Sequence, residues 1–210
     1  MTLLNIDHVL LGTTDLEGTA RELSSRHGLI SYEGGRHIGL GTGNRIVPLG
    51  DCYLEIIGVI DEAEAETNSF GRWLASRVAA GPRLVGWCLA TDDIDRVAER
   101  VDVDAVPMRR VLPDGRILSW RLAGLEVAMA EPPLPFFISW ETDAGLHPGR
   151  AGTAHRQGPV RLTGIEVGGE ESRLEEWIAG EPLPVTVVDG APGVRAALLA
   201  GPDGPIRIGL

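Results

Sequence analysis

His8 interrupts an apolar run, "NIDHVLLG", and points to the side of the strand opposite Val9 and Leu11. An imidazole in that position can ligate a metal, move a proton, or sit in a core with its polar atoms satisfied. A second group of polar residues, Arg36, His37, Thr42 and Asn44, lies in "GGRHIGLGTGN". These could orient a substrate at a flexible rim, although the same composition suits a solvated hairpin connection. The segment has neither the lysine nor the strand-to-helix setting of a phosphate loop. Arg109, Arg110 and Arg116 cluster about the Pro-Asp-Gly turn of "RRVLPDGRILSWRL". A guanidinium there could clamp a carboxylate or phosphate, while edge strands commonly carry such charge for solubility. Trp120 in the same phrase would wall a pocket or fill a core. His147 in "GLHPGR" and His155 fall in a Gly- and Pro-rich loop that could fold over a site or stay exposed. No Ser-His-Asp order, nucleophile elbow or reactive cysteine setting points to nucleophilic hydrolysis.

The elements that must position these residues repeat. "IDHVLLGTTDLEGTARELSSRHGL" and "LVGWCLATDDIDRVAERVDVDAV" share the order strand, Thr/Asp turn, helix, with Asp15-Leu16 matching Asp93-Ile94. Short strands follow each: "GNRIVPLGDCYLEIIGV" after the first and "GRILSWRLAGLEVAMAE" after the second. The expected class is α+β, with tandem βαβββ units over residues 1–60 and 83–142, joined by an amphipathic helix within 61–82 that carries Phe70, Trp73, Leu74 and Val78. The apolar phrase "PFFISW" is expected to dock on the second unit, and a loop is expected over 143–158. A compressed third unit over 159–210 begins at "RLTGIEVGGEESRLEEW". Trp87 is expected on the helix-packed face, in the core.

Composition limits the partners. The chain has 210 residues, is 43% hydrophobic and 23% charged, and carries a formal charge of -11. Such an acidic chain lacks the concentration of Lys and Arg that a nucleic-acid surface requires. No apolar run spans a bilayer, and "MTLLNIDHVL" has no basic leader, so a cytoplasmic protein acting on a small molecule is expected. Cys52 and Cys88, without C-x-x-C spacing, read as buried free thiols.

Taken together, "DHVLLGTTDLE", "GGRHIGLGTGNRIVPLGDCYLEIIGV", "GWCLATDDID", "RRVLPDGRILSW" and "PFFISW" resemble the vicinal oxygen chelate superfamily, and within it the glyoxalase-like domain proteins. The resemblance covers about the first two-thirds of the chain and continues beyond it only as a pattern. It implies that the tandem units curl into a cup of mixed sheet with helices outside. It also implies a divalent ion (Zn, Fe, Mn or Ni) held from the first and last strands of each unit, and it makes a homodimer an expectation. Carried onto this chain, the implied ligands are His8, Glu55 and Glu126, with Glu55 and Glu126 also available for proton transfer. Arg36, His37, Asn44, Arg110, Trp120 and His147 would surround the substrate. The fourth ligand position is vacant, because Gly86 and Gly164 align with His8. Two functional classes follow: a metal-assisted isomerase, lyase or dioxygenase, and a metal-free binding protein that works with acid and base groups alone.

Overall fold

Asp15 and Asp93 end the two repeated strands and start the two repeated helices in the same way. Each carboxylate accepts a hydrogen bond from a backbone N–H three residues on, at Gly18 and Arg96. The computed structural model describes residues 3–152 and 154–209. From these caps the first unit runs β1 (Leu4–Gly12), α1 (Leu16–His27), β2 (Tyr32–His37), β3 (Thr42–Pro48) and β4 (Tyr53–Val59). The second runs β5 (Arg83–Thr91), α4 (Ile94–Arg100), β6 (Ala105–Val111), β7 (Ile117–Ala123) and β8 (Phe136–Trp140). Between them, α2 (Glu62–Ala65) and α3 (Ser69–Val78) form the expected link, and Phe70, Leu74 and Val78 of α3 are buried.

Strand order proves the repeat. Both units pair their first strand with their last in parallel, then return antiparallel, and together they form one closed eight-stranded barrel, β1-β4-β3-β2-β6-β7-β8-β5. The units join on one side through a long antiparallel β1–β5 ladder and on the other through only Arg36↔Val111 and His37↔Arg110. That short seam depends on Gly35, whose φ of +130° and closeness to the Val111 carbonyl leave no space for a Cβ.

The segment "PFFISW", expected to dock on the second unit, is instead its last strand, β8. The phrase expected to supply that strand, "GLEVAMA", is helix α5 (Leu125–Ala130). Gly124, with φ of 76°, ends β7 and turns the chain into that helix. Its apolar residues fit either period, so alternation alone does not separate the two.

Alternation along the barrel strands sorts side chains between two clusters. Trp87, Leu89, Val9 and Leu11 face outward against α1, α4 and the C-terminal sheet, and Trp87 is fully buried there as expected. Leu10, Cys88, Trp120, Phe136 and Ile138 face inward. Beyond the barrel lie β9 (Arg161–Gly168), α6 (Glu171–Trp177), β10 (Val185–Val188), β11 (Gly193–Gly201) and β12 (Gly204–Gly209). Their order, β10-β9-β11-β12, differs from the barrel units: here the strand following the helix, rather than the last, pairs in parallel with the first. This third unit packs on the outside of the barrel, where Trp177 is buried beside Phe137 and donates its Nε1–H to the Pro135 carbonyl at 2.7 Å.

Candidate functional site

The barrel interior brings five polar side chains together, each from a different strand. His8 comes from β1, His37 from β2, Asn44 from β3, Glu55 from β4 and Arg110 from β6, and all are buried. His37 and Arg110 are direct partners across the seam, so closing the barrel assembles the site. Tyr53, Trp120 and Phe136 supply aromatic walls, with Tyr53 stacked on the His8 ring at 4.7 Å.

Glu55 lies at the centre of this set. Its Oε1 accepts a hydrogen bond from Asn44 Nδ2, and its Oε2 lies 3.5 Å from His8 Nε2. Asn44 Nδ2 also approaches His37 Nε2 at 3.4 Å, while His37 Nδ1 bonds to Thr42 Oγ1 at 3.0 Å. Burial disfavours a charge on His37 and pulls its pKa down to about 4, so the ring is neutral and its Nε2 accepts from the Asn44 amide.

His8 is held from behind by a residue without a counterpart in the sequence reading, Asp7. Its side chain is 1% exposed and accepts from His8 Nδ1 at 2.7 Å, Trp140 Nε1 at 2.9 Å and His147 Nε2 at 3.1 Å. Burial alone would raise this carboxyl, but the hydrogen bonds from His147 and His8 outweigh it and hold the carboxyl far below the usual carboxylate range. The anion fixes His8 as its Nδ1–H tautomer and aims Nε2 at Glu55. His147 is likewise fixed, since its Nδ1 accepts from the Gly149 N–H at 3.2 Å. The signal that could have exposed Asp7 was its type: an Asp inside an apolar strand, left unpaired at a bulge between Ile6 and His8.

Arg110 is 2% exposed, its Nε has no hydrogen-bond partner, and among the described residues no carboxylate pairs with it. A guanidinium buried without a counter-anion is costly, and a bound anion is the direct remedy. Strand alternation explains the difference within the Arg cluster. Arg109 and Arg116 are exposed, and Arg116 folds back on Asp114, while Arg110 turns inward.

The remaining expectations sort as follows. Glu126 lies exposed on α5, outside the barrel, because the segment forms a helix rather than a strand. Arg36 faces outward and pairs with Asp61 and Glu64, so it does not reach the interior. His147 supports Asp7 instead of filling the position vacated by Gly86. His155 is buried rather than loop-exposed, accepting from the Ile30 N–H and donating to the Pro48 carbonyl. Cys52 and Cys88 are free thiols, and burial raises both; Cys52 is pushed up to about 11.

The donors present do not match the divalent-ion site that the family resemblance implies. The offset that carries Asp15 to Asp93 also carries His8 to Gly86 and Leu10 to Cys88, in agreement with the β1–β5 register. Glu55 stands beside Leu10 and Phe136 beside Cys88, so Phe136 occupies the counterpart of Glu55. The second unit therefore contributes no donor. Among the described residues no group of three His, Cys, Asp or Glu side chains converges on a point. The gap between His37 and Glu55 is filled by amide N–H groups, and the Arg110 guanidinium shares the cavity. Such a set fits an anion and does not fit a divalent cation.

Free space in the barrel interior is about 50 Å³, room for a few waters. It continues past Leu40, Phe70, Met108, Leu122 and Leu125 into a mainly apolar groove of about 490 Å³ bounded by α3 and α5, whose rim also carries Asp104 and Glu126. Charge at the bottom and apolar surface at the mouth define a site for a ligand with an anionic head and a less polar remainder.

The neutrality of His37 has a pH consequence. Its folded pKa, about 4, lies below the unfolded value near 6.5, so the unfolded chain takes up the proton first as pH falls. Stability is complete above pH 6.5 and is lost down to pH 4, by on the order of 3 kcal/mol. Urea denaturation across that range should therefore show a shallower acid limb in His37→Gln than in the unmutated protein. Identical slopes would mean that His37 titrates normally.

A tandem βαβββ barrel with its polar residues turned inward is the architecture of the glyoxalase-like proteins, and comparison with known families agrees. A family model described as "Glyoxalase-like domain" matches residues 6–180, and the chain belongs to that family. A hypothetical protein from Staphylococcus aureus is similar in fold, with a TM-score of 0.65 and 17% identity over 99% of this chain and 86% of that one. A Streptomyces coelicolor methylmalonyl-CoA epimerase aligns with 68% of this chain and 97% of its own at 18% identity and a TM-score of 0.47. The Mycobacterium tuberculosis methylmalonyl-CoA epimerase gives 14% identity and a TM-score of 0.43 over 65% of this chain and 86% of that one. No curated protein matches the chain. Among the described residues no helix is long and apolar enough to cross a membrane.

Proposed function

We propose that the barrel interior binds a small organic carboxylate and moves a proton on it by acid and base groups alone, with no metal taking part. The observation that carries this reading is Arg110, a buried guanidinium without an ion-pair partner that lines the same cavity as the buried Glu55. The ligand's carboxylate would satisfy Arg110, and its remainder would lie in the apolar groove. Glu55 is the base. It accepts a proton from a carbon next to a carbonyl, the electron pair moves onto the carbonyl oxygen, and reprotonation on carbon completes an isomerisation or an exchange with solvent. Asn44 fixes one Glu55 oxygen, and His8, oriented by Asp7, faces the other. No oxidant is needed.

The test is deuterium incorporation. In D2O the protein should accelerate exchange of the acidic C–H groups of 2-oxobutyrate or acetoacetate, probes that place the carbon acid at two distances from the carboxylate. Glu55→Gln keeps the Asn44 contact, so it should retain binding and lose exchange by about a hundredfold or more, the usual contribution of a positioned base. Exchange that is equally fast in Glu55→Gln would remove Glu55 from this role.

A further inference from the structure

A second pocket, of about 250 Å³, lies where the end of α3 and the start of β5 meet β11, and it shares no lining residue with the barrel interior. Three arginines line it from three different elements: Arg77 in the last turn of α3, Arg83 at the first residue of β5, and Arg195 on β11. The rest of the lining is aliphatic side chains, Pro132 and the 191–194 segment, with no Asp or Glu.

All three arginines are half-buried, and among the described residues none has an ion-pair partner; Arg77 Nε is fully buried and makes no hydrogen bond. Two neighbouring acids are engaged elsewhere, and Asp189, beside Gly190, is exposed and makes no ion pair among the described residues. Glu131, next to Pro132, pairs with Arg173, and Glu166 of the same sheet pairs with Arg207. The arrangement is unusual for a chain with 30 acidic residues against 19 basic ones, where a partner for each arginine is available in principle. The negative end of α3 accounts for Arg77, since a helix C-terminus carries about half a charge. It leaves Arg83 and Arg195 uncompensated.

We propose that this pocket is a binding site for a phosphate-type dianion, as inorganic phosphate or as the phosphoryl group of a small ester. Arginines that reach one pocket from three elements can offer separate charge-assisted contacts to the peripheral oxygens of a tetrahedral anion. Because α3 also borders the mouth of the barrel and β5 runs through its wall, an anion here would fasten together the linking helix, the barrel and the C-terminal sheet.

Calorimetry at constant ionic strength, with inorganic phosphate and with glycerol 3-phosphate as probes, tests the proposal. One saturable site is expected, and each of Arg83→Gln and Arg195→Gln should weaken it about tenfold or more. Tighter binding of the ester would identify a phosphoryl ligand; equal or tighter binding of phosphate would identify the free ion. In the unmutated protein the same titration, followed by NMR, should shift amide signals of Ala191, Gly193, Val194 and Arg195, a readout that does not depend on the variants folding. The proposal is overturned if neither probe saturates, if binding survives undiminished in both variants, or if the shifts are confined to the barrel interior.

Discussion

Asp7→Asn should destabilise the protein by about 3–5 kcal/mol at pH 7, the cost of removing one member of a buried charged network. Asp7 accepts from three donors, and an Asn side chain must turn an NH2 toward at least one of them. The effect extends to the site, because the anion dictates which His8 nitrogen carries the proton. With the substituted amide donating to Nδ1, the ring proton moves to Nε2 and points at Glu55, so the 15N shifts of His8 should report the other tautomer. Proton exchange on a bound ligand should fall by about a hundredfold or more. The pH dependence follows from the depressed carboxyl of Asp7: its contribution is present above the unfolded value of 3.8 and is lost as pH falls below it. A variant with unmutated stability and an unmutated His8 tautomer would show that Asp7 does not position the imidazole.

Arg110→Met is expected to separate stability from function. In the free protein the guanidinium is buried without an ion-pair partner, and a Met of similar length removes that burden while filling the space. Stability should be unchanged or should rise by up to about 3 kcal/mol. Binding of a carboxylate should weaken by about 2–5 kcal/mol, about thirty- to five-thousand-fold, because the ligand loses a desolvated charge partner. The opposite signs are the diagnostic feature. An Arg110 that only supported the fold would give lower stability together with the loss of binding.

The sequence carried the frame of this molecule in its caps and periods. Asp15 and Asp93 mark equivalent strand-to-helix turns, and the matching of His8 with Gly86 agrees with the observed β1–β5 register. The repeat failed where local pattern was ambiguous. "GLEVAMA" suits a helix or a buried strand, and the left-handed conformation of Gly124 decided it, carrying Glu126 away from the barrel. The third unit has the elements of the first two in a different strand order, because pairing partners are set by packing on the barrel and not by element sequence. Among the site residues, His8 was legible as a polar residue inside an apolar strand, and Glu55 followed from the family resemblance. Arg110 was expected beside the substrate; its burial without an ion-pair partner was not legible, since Arg109 and Arg116 have the same chemistry and only the barrel closure separates them. Asp7 was missed because a residue beside a conspicuous His reads as its flank, and the Trp140 and His147 that reveal its role lie far along the chain.

As proposed above, the barrel interior is an anion site that works without a cation. The most direct measurement is a ligand-observed NMR titration of the chelator-treated protein with 2-oxobutyrate and acetoacetate and with their neutral methyl esters, repeated on Arg110→Met. Saturable binding of a carboxylate in the presence of chelator, weaker or no binding of the matching ester, and loss of binding in the variant are expected. Binding that appears only after Zn, Fe, Mn or Ni is added, and that persists in Arg110→Met, would contradict it.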